Sequence, residues 1–237
     1  MVRDYIALDL ETTGLSPEKD RIIEIGAVKY VNGEPQQEFA TLVKTYQLLP
    51  ERITALTGIT EEMLADGMEE RDAVLAFLDF VGEAPVLLGH NIGFDFSFLK
   101  MAALRYGRTF ECDGLDTLRF AKAHHPELES RTLTALCAHY GIAQEHAHRA
   151  VDDAVSAHRL YLAMLDEFPE GDGFLAVPLV YKPKKQEPMT PKQNKFLRDL
   201  LWFHGMEYTR EMELLTKSDA SRLIDKLILA KGRMPRE

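Results

Sequence analysis

The chain has 237 residues, 46% hydrophobic and 28% charged, which suits a globular protein with one sizeable core and a smaller second unit. No apolar run reaches the length of a membrane span, the start lacks the pattern of a signal peptide, and two cysteines are too few for a disulfide framework, so a cytoplasmic protein without a membrane segment is expected. The net charge of −10 is uneven: residues 182–237 carry 13 Lys and Arg against 8 Asp and Glu, leaving 15 against 30 in residues 1–181.

In chain order, "DYIALDLE" at 4–11 reads as a strand and "TTGLSPEKD" as a turn rich in Thr, Gly and Pro. "RIIEIGAVKYV" resumes as a strand, "NGE" signals a hairpin, and "QEFATLVK" gives a third strand, which together predict an antiparallel meander. The period then changes. Apolar residues at 74, 77, 78 and 81 mark a helical stripe, "APVLLGHN" a short buried strand, and "FDFSFLKMAALRYG" a helix closing on Gly107. A strand around "ECDGLDTL", a helix around "TLTALCAHYG" and a long helix from about Ala150 to Phe168 complete the order βββαβαβαα. That order predicts an α/β fold with a mixed five-stranded sheet flanked by helices.

Three segments are expected: a first domain over 1–168, a Pro-rich linker over 169–189, and a small helical module over 190–237. In the module, Thr190 is the expected N-cap, with Pro191 at the first helical position and Gln193 completing a capping box. A second helix from near Ser218 to Gly232 makes a helical hairpin, with Phe196, Leu197, Leu200 and Leu201 facing Leu223, Ile224, Leu227 and Ile228.

A few acids stand where apolar residues are expected. Asp9 and Glu11 interrupt the first strand two positions apart, hence on one face and roughly 7 Å apart along it. Asp95 lies among Phe94, Phe96 and Phe98, and "HRAVDDA" at 148–154 opens the last long helix with an imidazole and two acids. Taken singly, each admits an ordinary explanation: a wet sheet face, an exposed first-turn acid, a surface loop. Taken together and in this order, they point to one site around a cation, because like charges on one strand face repel unless a positive charge lies between them.

The motifs carrying these acids resemble those of the DEDDh branch of the 3′–5′ exonuclease superfamily, the proofreading epsilon-subunit type with an RNase H-like fold. "DLETTGL" at 9–15, "HNIGFD" at 90–95 and "HRAVDD" at 148–153 stand in the family's order, and "LTGIT" at 56–60 and "DTL" at 116–118 are also similar. The resemblance covers about residues 4–165. It implies a metal-dependent 3′–5′ exonuclease releasing nucleoside monophosphates from single-stranded or frayed DNA in proofreading, replication or repair. Two divalent ions, Mg²⁺ or Mn²⁺, are implied, about 3.5–4 Å apart, stabilising the attacking and leaving oxygens.

By the same resemblance Asp9 bridges both ions, Glu11 and Asp153 hold the first, and Asp95 helps to hold the second. His148 is the implied general base, titrating near working pH. Being five residues before Asp153, it cannot share a helical face with it and belongs on the preceding loop. His146 and Asp152 are the competitors for the two roles. Thr12, Thr13, Gly14 and Leu15 are expected at the terminal nucleotide, with Leu15 wedged against a base. His90 and Asn91 either contact sugar or backbone or serve a loop and N-cap. The implied partners are nucleic-acid 3′ ends and a DNA polymerase or other replication protein. An exoribonuclease trimming RNA ends and a non-catalytic polymerase or clamp adaptor are the rival readings; four converging carboxylates speak against the adaptor.

Overall fold

A computed structural model describes residues 2–83, 85–144, 148–169, 175–183 and 187–234. The chain divides into two compact units, one of residues 1–44 and 49–182, the other of 45–48 and 183–237. None of the described helices is long and apolar enough to cross a membrane.

In the first unit, β1 (Tyr5–Thr12), β2 (Ile22–Val31) and β3 (Glu34–Leu42) form the antiparallel meander. Asn32 and Gly33 turn the β2–β3 hairpin with φ of 55° and 83°, the left-handed pair that a two-residue hairpin turn needs. Next come α1 (Glu51–Thr57), α2 (Glu61–Ala65), α3 (Glu70–Val81), β4 (Val86–Gly89) and α4 (Ile92–Arg105). They are followed by β5 (Asp113–Asp116), α5 (Thr117–His124), α6 (Leu133–His139), α7 (Ala150–Glu167) and β6 (Val177–Pro178). β4 pairs parallel with β1 and with β5, and the sheet order is β3-β2-β1-β4-β5-β6.

The sheet differs from the expected five strands by β6, a two-residue piece of the presumed linker that pairs antiparallel with β5. Leu179 and Tyr181 of the same segment pack on the core, so much of the "linker" belongs to the first unit. α1 and α5 are helices that the hydrophobic period does not announce. α5 starts because Asp116, the last residue of β5, accepts from the amides of Leu118 (2.9 Å) and Arg119 (3.3 Å), so one acid ends the strand and caps the helix.

The alternation of β1 separates two cores. Ile6, Leu8 and Leu10 pack with Val74, Phe77, Ile92, Phe96 and Leu99 of α3 and α4 on one face. Tyr5 and Ala7 pack with Leu160, Tyr161 and Met164 of α7 on the other. By the strand period Asp9 and Glu11 fall on the α7 face.

The second unit contains α8 (Pro191–Phe203), α9 (Arg210–Glu213) and α10 (Lys217–Lys231). The capping box at Thr190 and Gln193 is present. The expected hairpin is not. The Gln193 side chain reaches the Lys217 carbonyl and Ser221, both at 2.9 Å, while His204 meets the Gly232 carbonyl at 3.0 Å. Starts lie beside starts and ends beside ends, so α8 and α10 run parallel, and the segment through α9 returns the chain along their length. Leu197, Leu200, Leu201, Leu223 and Leu227 form the core with Met212, Leu215 and Ala220. Ile224 and Ile228 are only partly buried, Phe196 is exposed, and Tyr46 of the 45–48 segment packs into this core instead.

Candidate active site

The site gathers at the carboxyl ends of the parallel strands β1, β4 and β5, where α/β sheets present ligand-binding residues. β1 ends in a bulge between Glu11 and Thr12. Beyond it Thr12 donates to the Gly14 carbonyl at 2.7 Å, and the Thr13 amide donates to the Arg21 carbonyl at 2.9 Å. The Arg21 amide in turn donates to the Thr13 hydroxyl at 3.0 Å. A Cβ on Gly14 would lie 2.4 Å from the Asp20 carboxylate, so only glycine closes this turn without displacing Asp20. The two threonines are buried in the turn's own hydrogen bonds, while Leu15 at its tip is 81% exposed. Of the four turn residues, Leu15 therefore presents its side chain outward.

Asp9 is half-buried. Burial, then the charges of Asp95, Asp153, Glu11 and Glu24, push its carboxyl well above the ordinary range. Glu11 is pushed up to about 8 by burial and by Asp153 and Glu24, with Arg149 opposing. Asp95 comes from the first turn of α4, buried on the far side of β1, and its Oδ1 accepts the Leu10 amide at 3.0 Å. Burial raises it too, against the pull of the Leu10 amide and its own. Asp153, on α7, is also raised by burial, opposed first by the His148 amide. It accepts that amide at 3.1 Å and the Gln144 side chain at 3.2 Å.

His148 stands just before α7 in a left-handed conformation, φ 66°, which brings its peptide N–H back onto Asp153. Glu11, His148 and Asp153 each offer a ligand atom, all within 4.8 Å of one another. Asp152, one residue nearer the helix start, is not in that trio. His146 lies outside the described residues. Acids held above their ordinary range first by burial and then by neighbouring negative charge make a set that a cation would relieve, and carboxylate oxygens suit a hard divalent ion.

His90 is engaged on both ring nitrogens, by the Thr117 hydroxyl at 2.9 Å and the Arg131 carbonyl at 2.9 Å. Nε2 donates to the carbonyl, which can only accept, and burial lowers the pKa of the ring. The ring thus links the end of β4 to the start of α5 and to the loop at Arg131. Asn91 is the left-handed N-cap residue of α4 with φ 69°; its amide donates to Asp116 at 2.9 Å, while its exposed side chain makes no capping bond.

Two residues that motif reading passed over position the rest. Glu24 on β2 faces Glu11 across the strand pair. It accepts from Arg149 (Nη2 at 2.8 Å, Nε at 3.1 Å) and from the Ala150 amide at 3.0 Å, fixing the start of α7. Gly26 faces Asp9, and a Cβ there would lie 2.2 Å from the Ala150 carbonyl carbon and the Val151 amide. Only a glycine lets α7 come so close to the strands bearing Asp9 and Glu11. The signal was available: Glu24 and Gly26 break the apolar run "RIIEIGAV" at alternate positions, just as Asp9 and Glu11 break "YIALDLE".

The class defined by this sheet order and flanking helices is an RNase H-like α/β fold. Solved structures share it: a zinc-bound E. coli ExoI–single-stranded DNA complex has a TM-score of 0.64 at 21% identity over 72% of this chain and 42% of that one. Exonuclease X in complex with 5′ overhanging duplex DNA has a TM-score of 0.59 at 21% identity, over 73% of this chain and 97% of that one. The exonuclease family RNase_T matches residues 6–161, and the chain belongs to this family, in its DEDDh-type 3′–5′ branch. Among curated relatives, the DNA polymerase III PolC-type protein of Clostridium perfringens (strain 13 / Type A) is 42% identical over 152 residues, 64% of this chain and 10% of that protein. Its counterpart in Bacillus subtilis (strain 168) is 34% identical over 171 residues, 70% of this chain and 12% of that protein. The chain thus spans about a tenth of the length of the curated relatives it matches.

Proposed function

We propose that the protein is a divalent-metal-dependent 3′–5′ exonuclease that removes nucleoside monophosphates one at a time from single-stranded or frayed DNA ends. The observation that carries this reading is the convergence of Glu11, His148 and Asp153 within 4.8 Å, beside the raised acids Asp9 and Asp95. Asp9, Glu11, Asp95 and Asp153 are the residues that would hold two divalent ions, Mg²⁺ or Mn²⁺. When bound, such ions stabilise charge on the attacking and leaving oxygens of the phosphodiester.

The chain's own residues do the rest. His148 takes a proton from the attacking water as the new P–O bond forms and the bond from phosphorus to the 3′ oxygen of the preceding nucleotide breaks, that oxygen taking a proton from solvent to become the new 3′ hydroxyl. The Glu24–Arg149 pair keeps α7, and with it Asp153 and His148, against β2. The turn at Thr12–Gly14 brings backbone to the terminal nucleotide, and Leu15 lies against a base. Few phosphates need be gripped, so an acidic body is tolerable. The first unit acts as the nuclease domain, and the polymerase names of the curated relatives support work alongside a DNA polymerase or other replication protein.

The test is a gel assay on 3′- and 5′-labelled DNA and RNA oligomers with Mg²⁺, Mn²⁺ or chelator. Loss of label from the 3′ end first, silence in chelator, and a fall of at least about 10³ in rate for Asp9→Ala are expected, on the order of 4 kcal/mol of barrier. Full activity in chelator or in Asp9→Ala would refute the reading. A preference for RNA oligomers would move the substrate to RNA ends.

A further inference from the structure

The second unit bears a surface that the catalytic reading does not use. Trp202 is the chain's one tryptophan, and it stands 84% exposed near the end of α8. A large indole held in water is unusual, since aromatic side chains are mostly buried. Lys195 and Arg198 precede it by seven and four residues, which places all three on one side of the helix, away from Leu197, Leu200 and Leu201. Both cations are exposed.

Arg198 is not free to wander. Its Nε donates to Asn194 at 2.9 Å, and its guanidinium lies 4.1 Å from the centre of the Tyr208 ring. Asp199 on the same helix and Glu213, 3.4 Å from Arg198, temper the positive charge locally. The wider segment 182–237 remains basic, 13 cations against 8 acids, in a chain of net charge −10.

We propose that this face of α8 is a binding platform for single-stranded nucleic acid, with a base stacked on Trp202 and the backbone phosphates met by Lys195 and Arg198. An exposed aromatic beside cations is the combination that single-strand binders use. Stacking serves any base, and the cations track the backbone without reading sequence. A platform covalently joined to the nuclease unit keeps a captured strand at high local concentration for a unit that is itself acidic. The site is separate in composition from the carboxylate cluster, so it stands or fails without the catalytic reading.

The single tryptophan supplies the assay. The full chain in chelator, where no hydrolysis is expected, is titrated with oligo(dU) and oligo(U) of ~20 nucleotides while Trp202 fluorescence is followed. Saturable quenching is expected, with affinity that falls as salt rises. Trp202→Ala, at a site with no packing to lose, should weaken oligomer binding by about tenfold or more, measured by anisotropy of a labelled strand. Lys195→Glu should retain the quench, weaken binding, and reduce the slope of log affinity against log salt by about 0.7. A strong quench with only one of the two oligomers fixes which sugar the platform accepts. In both variants, metal-supported hydrolysis of a dinucleotide should match the parent, which separates this surface from the active site. Unquenched fluorescence together with unchanged oligomer affinity in both variants would overturn the proposal and leave the face to protein docking.

Discussion

Replacing Glu11 with glutamine should make the metal-free protein more stable at alkaline pH. The Glu11 carboxyl is pushed up to about 8 from an ordinary 4.5 by burial and by Asp153 and Glu24. The native state therefore keeps a proton on Glu11 between about pH 4.5 and 8, where the unfolded chain has released it. Stability must fall as pH rises through that window and level off above it. At ~1.4 kcal/mol per pH unit the upper bound is ~5 kcal/mol. Water at the half-buried carboxylate and shared protonation with Asp153 reduce it to ~2 kcal/mol. The amide of Glu11→Gln carries no charge, so this loss disappears. In chelator at pH 8.5 the variant should melt ~5 °C above the parent, and at pH 4.5 the two should nearly coincide. Far-UV circular dichroism or hydrogen exchange in α7 is the suitable readout, because Trp202 reports from the other unit. Adding Mn²⁺ at pH 8.5 should raise the parent more than the variant, since bound cation relieves the same repulsion. If the two proteins share one stability–pH curve in chelator, the account of repelling carboxylates around a cation site fails.

His148→Ala should reduce turnover by at least about 10² while metal binding persists, and His146→Ala should change little; exchanged phenotypes in a single-turnover assay would reassign the base. Gly26→Ala should cost ~3 kcal/mol or more or displace the start of α7, because its Cβ meets backbone atoms at 2.2 Å; an unaltered melting temperature and rate would contradict this. Glu24→Ala and Arg149→Ala should each lower activity by about tenfold or more, and a double-mutant cycle should show a coupling of ~1–3 kcal/mol, whereas strict additivity would mean that the fork does not act as a unit.

Much of the first unit was legible from local pattern. The strand period alone placed Asp9 and Glu11 on one face, and the helical period kept His148 off the face of Asp153. The capping box at Thr190 and Gln193 was also readable, because a helix start is decided by residues three apart. What needed the folded chain was every relation between distant segments. Sequence gives no sign that Glu24 meets Arg149 at a separation of 125 residues, or that Gly26 is the gap into which α7 fits. Nor does sequence show that His90 meets Thr117 and the Arg131 carbonyl through its two ring nitrogens. The same limit explains the second unit: two amphipathic helices bury their stripes equally well parallel or antiparallel, so periodicity left their direction open. The length of the 206–216 connection and the contacts of Gln193 and His204 decided it. Local chemistry fixes which face of an element is apolar and where it starts and stops, while the partner of that face is chosen only when the whole core closes.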